Sequence, residues 1–584
     1  MGILIKKIFI SNYKSIESQL INLQDTNVFF GKNNTGKSNI LKSIHLGMTY
    51  ETIHTEDVFD SKKNPYNISK KVIIDVYIEP EIGGVKVSSF DDDWTLILGN
   101  SISVDIDSNQ FFAYRTELSY DEKRNGYINN KKNIKNWKDD GTSNCSSSFN
   151  SRIFDNIQCT YIDAHRDISL DLKDRRSFWT KLVSRVKIDE IKRKEIQTKL
   201  QDINTTIKEE SNLLKLIETE LKKTVSDERF EIDISPVTKD LETLYKGIDI
   251  YYSNDFFNPV PVSNLGSGVR SWAVFSTIKS QLNLAQKVVA PFHSVLLIEE
   301  PESHIHPQSQ IHLVKIINET QSQKIIATHS PYVLNGFNLN SMIRVYKGDI
   351  GTQIATSTLS TTDIESINKI LMINKGDLLF SKIIVFVEGF TEQIVMPMYF
   401  KRYFNKHPFE LGVTFVACDG GCTYRPYLLL SHTYKLNWFL FSDGEKNVLS
   451  SIENSLRYVY KDFSFKIANE KRVITLPKTM NYESYLLSEG FKYSINKVID
   501  RYNGNSHNYI KNKYMTSSQQ WIEFKKGKSF TSIKEEEERA ILLYLKKEKI
   551  NLARTIAEEI IKSSRIQDLP SRIVKLMSIL KKEV

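Results

Sequence analysis

Apolar and polar positions along this chain fall into stretches of two periods. Residues 3–10 alternate in strand fashion, 27–30 form a second strand-like run, and 39–44 switch to helical spacing. Further strand-like runs lie at 72–78, 295–298, 325–328, 383–387 and 438–442, and 394–400 reads as an apolar helix. A polar, Asp/Asn/Ser-rich stretch at 88–150 predicts antiparallel β-structure with long loops. Residues 186–225 contain no Gly or Pro, and Ile188, Ile191, Ile196, Leu200, Ile203, Ile207, Leu213, Leu214 and Leu221 recur among charges. That spacing predicts a long helix or a short helical hairpin, packed on the domain's own body or serving as a dimerisation arm. Residues 336–375 read as closing strands and a linker helix. The last 90 residues are helical and rich in Lys and Glu, with Lys534–Arg539 as a solvated helix face.

At 584 residues the chain exceeds a single ordinary core, so two or three domains are expected. A net charge of +9 over this length is mildly basic, compatible with nucleic acid without demanding it. Four cysteines are too few for a disulfide framework and suggest a reducing compartment. Cys418 and Cys422 have no second Cys/His pair at zinc-ligand spacing. The first residues read as a strand and not as a secretory signal, and no apolar run approaches membrane-spanning length. A cytoplasmic protein without a membrane partner is expected.

The chemistry lies where strands stop. Between the strand at 27–30 and the helix at 39–44 stands Gly31-Lys-Asn-Asn-Thr-Gly36-Lys37-Ser38, a phosphate-binding loop in strand–loop–helix context. Its backbone N–H groups suit a β-phosphate at a helix N-terminus, Lys37 the β/γ-phosphates, and the Ser38 hydroxyl a Mg²⁺ ion. Gly31, Asn34, Gly36, Lys37, Ser38 and Asn39 are the candidate ATP-binding residues. The run 295–298 delivers Glu299-Glu300-Pro301-Glu302 to a strand end. There Glu299 suits the Mg²⁺ shell and Glu300 the orientation or deprotonation of the attacking water. Many ATPases carry Asp where Glu299 stands, so this arm is longer. Asn264-Leu-Gly-Ser267-Gly268-Val-Arg270 precedes that strand, and Thr328-His329-Ser330-Pro331 follows the next one. His304 and His306, at i and i+2, read as loop contacts before metal ligands.

In this order the elements resemble ABC-type ATPases of the recombination, SMC and OLD (overcoming lysogenization defect) class. The stretches at 299–307 and 328–331 look most like the OLD and RecF-like branch. The resemblance covers 1–375, with a helical insertion at about 180–230. It implies that Ser267 and Gly268 cap the γ-phosphate held by an opposing subunit, that His329 is the switch histidine, and that the chain is a homodimer or tetramer.

The second half carries acids in a related arrangement. Glu388-Gly-Phe-Thr-Glu392 follows the strand 383–387, Asp443-Gly-Glu445 follows 438–442, and Glu483 lies downstream. Oxygen ligands without His or Cys suit Mg²⁺ or Mn²⁺. This constellation resembles the Toprim fold of topoisomerases, primases and OLD-family nucleases, over about 381–495. Glu388 matches its glutamate, and Asp443 with Glu445 its Asp-x-Asp pair, Glu445 replacing the usual second Asp. Gly420-Gly421 matches the family's Gly-Gly turn. The segment 544–554 resembles its lysine-bearing helix, with Lys549 matched to the catalytic lysine and Lys546 and Lys547 as competitors.

The expected architecture is therefore α/β: an ABC-type ATPase with a helical insertion (1–375), a Toprim unit (381–495) and a helical C-terminal part (496–584). The resemblance implies an ATP-regulated nuclease cutting DNA, with Glu300, Glu388, Asp443, Glu445 and Lys549 catalytic. Ser38, Glu299, Glu388, Glu392, Asp443, Glu445 and Glu483 are then the metal ligands. It also implies phage defence as in Gabija or retron systems, whose partners are a helicase-like protein or a reverse transcriptase with its RNA–DNA product. The alternative is a DNA-sensing or repair ATPase whose Toprim unit is a scaffold only.

Overall fold

The computed structural model describes residues 2–59, 70–146, 149–164, 189–211, 251–254, 257–261, 268, 275–276, 278–280, 282–283, 285–286, 289–357, 359–373, 377–418, 423–510, 512 and 533–584. The first half carries β1 (Gly2–Tyr13), β2 (Ile16–Asn22), β3 (Thr26–Phe30), β4 (Val72–Ile82), β5 (Val85–Lys86), β6 (Ile102–Val104), β7 (Gln110–Asp121), β8 (Gly126–Asn136), β9 (Asn144–Cys145) and β10 (Ile157–Ile162). It continues through β11 (Tyr251–Asn254), β12 (Phe257–Pro261), β13 (His293–Glu299), β14 (Gln323–Thr328), β15 (Met342–Gly348) and β16 (Gly351–Thr356). The second half has β17 (Ile383–Val387), β18 (Val413–Ala417), β19 (Trp438–Ser442) and β20 (Val473–Thr475).

Strands β2-β1-β4-β7-β8-β9 form an antiparallel sheet, with β5 and β6 at its margins. This sheet includes the β-structure expected over 88–150, although Asp92–Leu98 there is a short helix capped by Asp91. The second sheet runs β10-β13-β14-β3-β15-β16 and is parallel except for the β15–β16 hairpin. The third, β18-β17-β19-β20, is wholly parallel. Its strands are continuous apolar runs because both faces are covered.

Side chains alternate across a strand, so each central strand feeds two cores. On β3, Phe29 joins the core shared with the antiparallel sheet and with Ile40, Leu41 and Ile44 of the Lys37–Met48 helix. Its neighbours Val28 and Phe30 point the other way. That second core also takes Ile384 and Phe386 from β17 and Leu440 from β19, so one apolar layer joins the two parallel sheets. The outer face of the third sheet, through Val385, Val387, Phe439 and Phe441, packs on the C-terminal helices Ile533–Ser563 and Ser571–Glu583. Of the helical 186–225 stretch, Glu190–Glu210 is one helix, and 212–225 lies outside the described residues. Among the described residues no helix is long and apolar enough to cross a membrane.

Candidate nucleotide and metal sites

β3 ends at Phe30 and the chain turns through Gly31, Asn34 and Gly36, all with positive φ (154°, 61° and 108°). Gly36 then starts the Lys37–Met48 helix, whose N-terminus faces the turn. Any larger residue is barred at both glycines. A Cβ at Gly31 would stand 2.1 Å from the Val345 carbonyl oxygen, and one at Gly36 would stand 2.2 Å from the Thr352 hydroxyl. Lys37 is buried and its ammonium donates to the carbonyls of Gly31 and Lys32, each at 2.9 Å. Burial pulls its pKa down to about 8, against the attraction of Glu300, Glu302 and Glu299. Ser38 follows in the first turn, half-buried. The Asn39 amide donates to the Ser15 hydroxyl at 2.7 Å, which in turn meets Thr352 at 2.7 Å.

The carboxylates arrive on β13, two strands away in the same sheet. Glu299 is its last residue and accepts a short hydrogen bond from the Tyr161 hydroxyl on β10. Burial first, and that bond second, push the Tyr161 phenol well above its ordinary value. Glu300 has φ 45°, a left-handed conformation that a non-glycine residue adopts at a cost of about 1–3 kcal/mol. Its N–H still donates to Ala327 at 2.8 Å, so the strain turns the carboxylate out while the strand pairing persists. The carboxylate meets the Ser303 hydroxyl at 3.1 Å and faces His329 Nε2 at 3.9 Å. Burial and the Lys37 charge hold the His329 pKa below its usual value, with Glu300 opposing.

Glu302 is the residue that motif matching left without a role. Its carboxylate accepts from the Thr328 hydroxyl at 2.8 Å and from the His329 backbone N–H at 2.6 Å. It thereby fixes the turn that presents the histidine, while burial raises its pKa. Gly268 stands beside the same segment, since a Cβ there would lie 3.7 Å from the His304 carbonyl. Ser267 lies outside the described residues.

In the third sheet Glu388 follows β17 and Asp443 follows β19, at adjacent parallel strand ends, where such sheets bind ligands. Glu388 Oε2 accepts the Asp443 backbone N–H at 3.0 Å. Gly444 makes the following turn possible: a Cβ would stand 1.9 Å from the Pro477 carbonyl oxygen. Its N–H donates to Met480 at 2.8 Å and its carbonyl accepts from Thr479 at 2.9 Å, stitching the turn to the loop that leads to Glu483. Glu483 lies in the first turn of the Tyr482–Ser488 helix and is buried. Glu392 is buried too, and its Oε2 accepts the Gly389 N–H at 3.0 Å, capping the Phe390–Phe404 helix.

Glu445 behaves differently. It sits exposed at the start of the Lys446–Tyr460 helix. Among the described residues no three of His, Cys, Asp and Glu converge closely enough to hold an ion. The expected metal set is thus drawn up as an adjacent pair, Glu388 and Asp443, with Glu392 and Glu483 buried around it and Glu445 turned outward. The donors are all hard oxygens, which fits Mg²⁺ or Mn²⁺. Lys549 lies in the helix Ile533–Ser563 directly after its kink at Glu548, with Lys546 and Lys547 exposed one turn earlier. Gly420 and Gly421 lie outside the described residues.

A phosphate-loop ATPase whose chain runs on into a parallel sheet edged with carboxylates is the class that this fold and these sites define. More narrowly, the chain belongs to the ATPase family described as "AAA domain, putative AbiEii toxin, Type IV TA system", which matches residues 26–335, more than half of it. Residues 379–444 match the "Overcoming lysogenization defect protein-like, TOPRIM domain" family, so an OLD-like Toprim domain follows the ATPase domain. The "Endonuclease GajA" of Bacillus cereus (strain VD045) is 23% identical over 460 residues, 75% of this chain and 74% of that protein. The "OLD nuclease" of Thermus scotoductus is 24% identical over 174 residues, 28% of this chain and 32% of that protein. The solved C-terminal region of the Xanthomonas campestris pv. campestris OLD protein, 16% identical, covers 35% of this chain and 95% of that one, with a TM-score of 0.26.

Proposed function

We propose that this chain is an ATP-regulated, divalent-metal-dependent endonuclease that hydrolyses DNA phosphodiester bonds and serves in defence against phage. The observation that carries the reading is the Glu388–Asp443 pair at neighbouring strand ends, on the same chain as a complete phosphate loop. The names of the GajA and OLD relatives as nucleases support it.

In the ATPase half Lys37 and Ser38 take the phosphates and their Mg²⁺, Glu299 adds to the metal shell, and Glu300 orients water beside His329. Ser267 and Gly268 of a second copy close that site, making the working form a homodimer or tetramer. In the Toprim half Glu388 and Asp443 hold the cation, Glu392 and Glu483 add negative charge behind it, and Glu445 approaches from the rim. A divalent cation held there would supply an activated water and stabilise the leaving oxygen. Lys549 neutralises charge at the scissile phosphate. Partners of the helicase or reverse-transcriptase kind belong to the same reading.

The test is cleavage of plasmid DNA with Mg²⁺ or Mn²⁺, with and without ATP, by the parent, Glu388→Ala and Asp443→Ala. Removing either carboxylate takes away charge and coordination together, so cutting should fall by at least a hundredfold while ATP hydrolysis persists. Variants that cut as well as the parent would refute the site. The outward Glu445 favours the second reading, a DNA-sensing ATPase with a scaffold Toprim unit. In that case the parent binds DNA, hydrolyses ATP and cuts nothing under either metal.

A further inference from the structure

Beside the acidic turn runs a solvent-open groove of ≈ 520 Å³ that the chemistry above does not use. One wall is the Lys446–Tyr460 helix, whose Val448, Ile452 and Val459 are buried against the sheet. The opposite face must therefore look outward. It presents Asn447, Ser450, Asn454 and Tyr458 in one stripe at intervals of three and four residues, all exposed. This stripe carries amides, a hydroxyl and an aromatic ring, and no carboxylate or ammonium. The Glu190–Glu210 helix differs, its exposed positions carrying Lys192, Lys194, Glu195 and Lys199.

The other wall supplies one cation, and it is held in place. The Arg425 guanidinium lies 3.5 Å from the centre of the Tyr458 ring. Asp363 fixes both, accepting from Arg425 at 2.7 Å and from the Tyr458 hydroxyl at 2.9 Å. A guanidinium has five N–H donors, more than this contact uses, and the Arg425 side chain remains 46% exposed. Such a stacked arginine suits a phosphate on its edge and a sugar or base against the ring.

We propose that this groove is the track for the sugar–phosphate backbone of the nucleic-acid strand that reaches the Glu388–Asp443 site. A phosphate lies on Arg425, and the neutral stripe follows the backbone. The proposal rests on the nuclease reading above. Asn447 stands two residues past Glu445, so the track opens directly on the acidic turn. From Asn447 to Tyr458 the helix rises ~16 Å, room for a few successive phosphates along one strand. Neutral donors along such a track hold the backbone without trapping it, and leave the strong charge at one fixed point.

The experiment measures binding of a fluorescent oligonucleotide, single- and double-stranded, to the full chain across a salt series. Ser450→Lys and Asn454→Lys, at exposed helix positions, should each tighten binding and steepen the log K against log salt slope by about 0.7–0.9. Ser450→Glu and Asn454→Glu together should weaken binding at least tenfold and raise KM for cutting more than they lower kcat. ATP hydrolysis and melting temperature should stay at parental values in all of them. If the parent binds and cuts but affinity and salt slope are unmoved in the lysine and glutamate variants, the track is wrong and the nuclease reading stands. A groove that serves an acidic protein segment gives that same result. A parent that neither binds nor cuts any nucleic acid overturns the nuclease reading, and the track with it.

Discussion

Glu302→Ala removes an acceptor that serves two donors at once, the Thr328 hydroxyl at 2.8 Å and the His329 N–H at 2.6 Å. Thr328 is buried, and the Glu302 carboxylate and His329 are half-buried. A buried donor left without a partner costs about 1–3 kcal/mol, which applies in full to Thr328 and only in part to the half-buried His329 N–H. Part of that returns, because burial already disfavours the ionised carboxylate, as its raised pKa records. What does not return is the position of His329, which faces Glu300 at 3.9 Å and owes its backbone placement to this contact. A misplacement worth about 2.7 kcal/mol in the transition state is a hundredfold in turnover. Steady-state ATP hydrolysis should therefore fall about a hundredfold in Glu302→Ala, and about tenfold in Glu302→Gln, whose one oxygen can still serve one donor. ATP affinity, read by a fluorescent analogue, should change less than twofold because the Lys37 loop is untouched. If Glu302→Ala melts at a lower temperature yet turns over ATP at the parental rate, Glu302 is structural only and the reasoning fails.

Nucleotide binding should carry a pH signature from Lys37, whose pKa is held to about 8 by burial. The ammonium form is the one that binds polyphosphate, so above pH 8 binding must take up a proton, and the Kd for ATP should rise up to about tenfold per unit. Calorimetry in buffers of different ionisation enthalpy reads that uptake, and an affinity flat to pH 9.5 contradicts it. Gly444→Ala should abolish Toprim cleavage while sparing ATP hydrolysis, because its Cβ meets the Pro477 carbonyl at 1.9 Å and the turn bearing Asp443 must move. Parental cleavage by that variant would show that the turn tolerates displacement.

The phosphate loop and the acidic strand ends were legible in the sequence because each is a contiguous string whose chemistry depends on its immediate neighbours. An apolar run followed by Gly or by an acid states both the strand and what it delivers. Contacts set by sheet register were not legible in this way. Tyr161 reaches Glu299 across 138 residues, Arg344 reaches the Tyr434 carbonyl across 90, and Glu302 reaches the His329 amide across 27. No motif states any of these pairings, and a tyrosine on an alternating strand reads as ordinary packing. The need for glycine at Gly444 is equally tertiary, since only the approach of the Pro477 backbone forbids a side chain. Asn39 is a further case: its place in the motif says nothing of the hydrogen bond its amide makes to Ser15.

The two halves also meet where the loop begins. Phe30, the last residue before the phosphate loop, has its ring edge-on to Tyr434 at 5.3 Å and to Phe380 at 6.2 Å. Its register partner on β15, Arg344, donates to the carbonyls of Tyr434 and Lys435 at 2.7 and 2.5 Å. Tyr434 and Lys435 lie just ahead of β19, which Asp443 follows, and Phe380 lies just ahead of β17, which Glu388 follows. Lys32 of the loop feels the same seam, its pKa lowered to about 8 by burial and then by Arg344 and Lys382. Each acid-bearing strand is five buried residues, ~17 Å of hydrogen-bonded rod running from the phosphate loop's own core to a carboxylate. A close-packed interior transmits displacement because it has no free volume to absorb it. A shift of Phe30 or Arg344 must therefore either open a cavity at Tyr434 or carry the roots of both strands with it. Within one chain, the residue that opens the phosphate loop and the roots of the strands that lead to Glu388 and Asp443 share one packed seam.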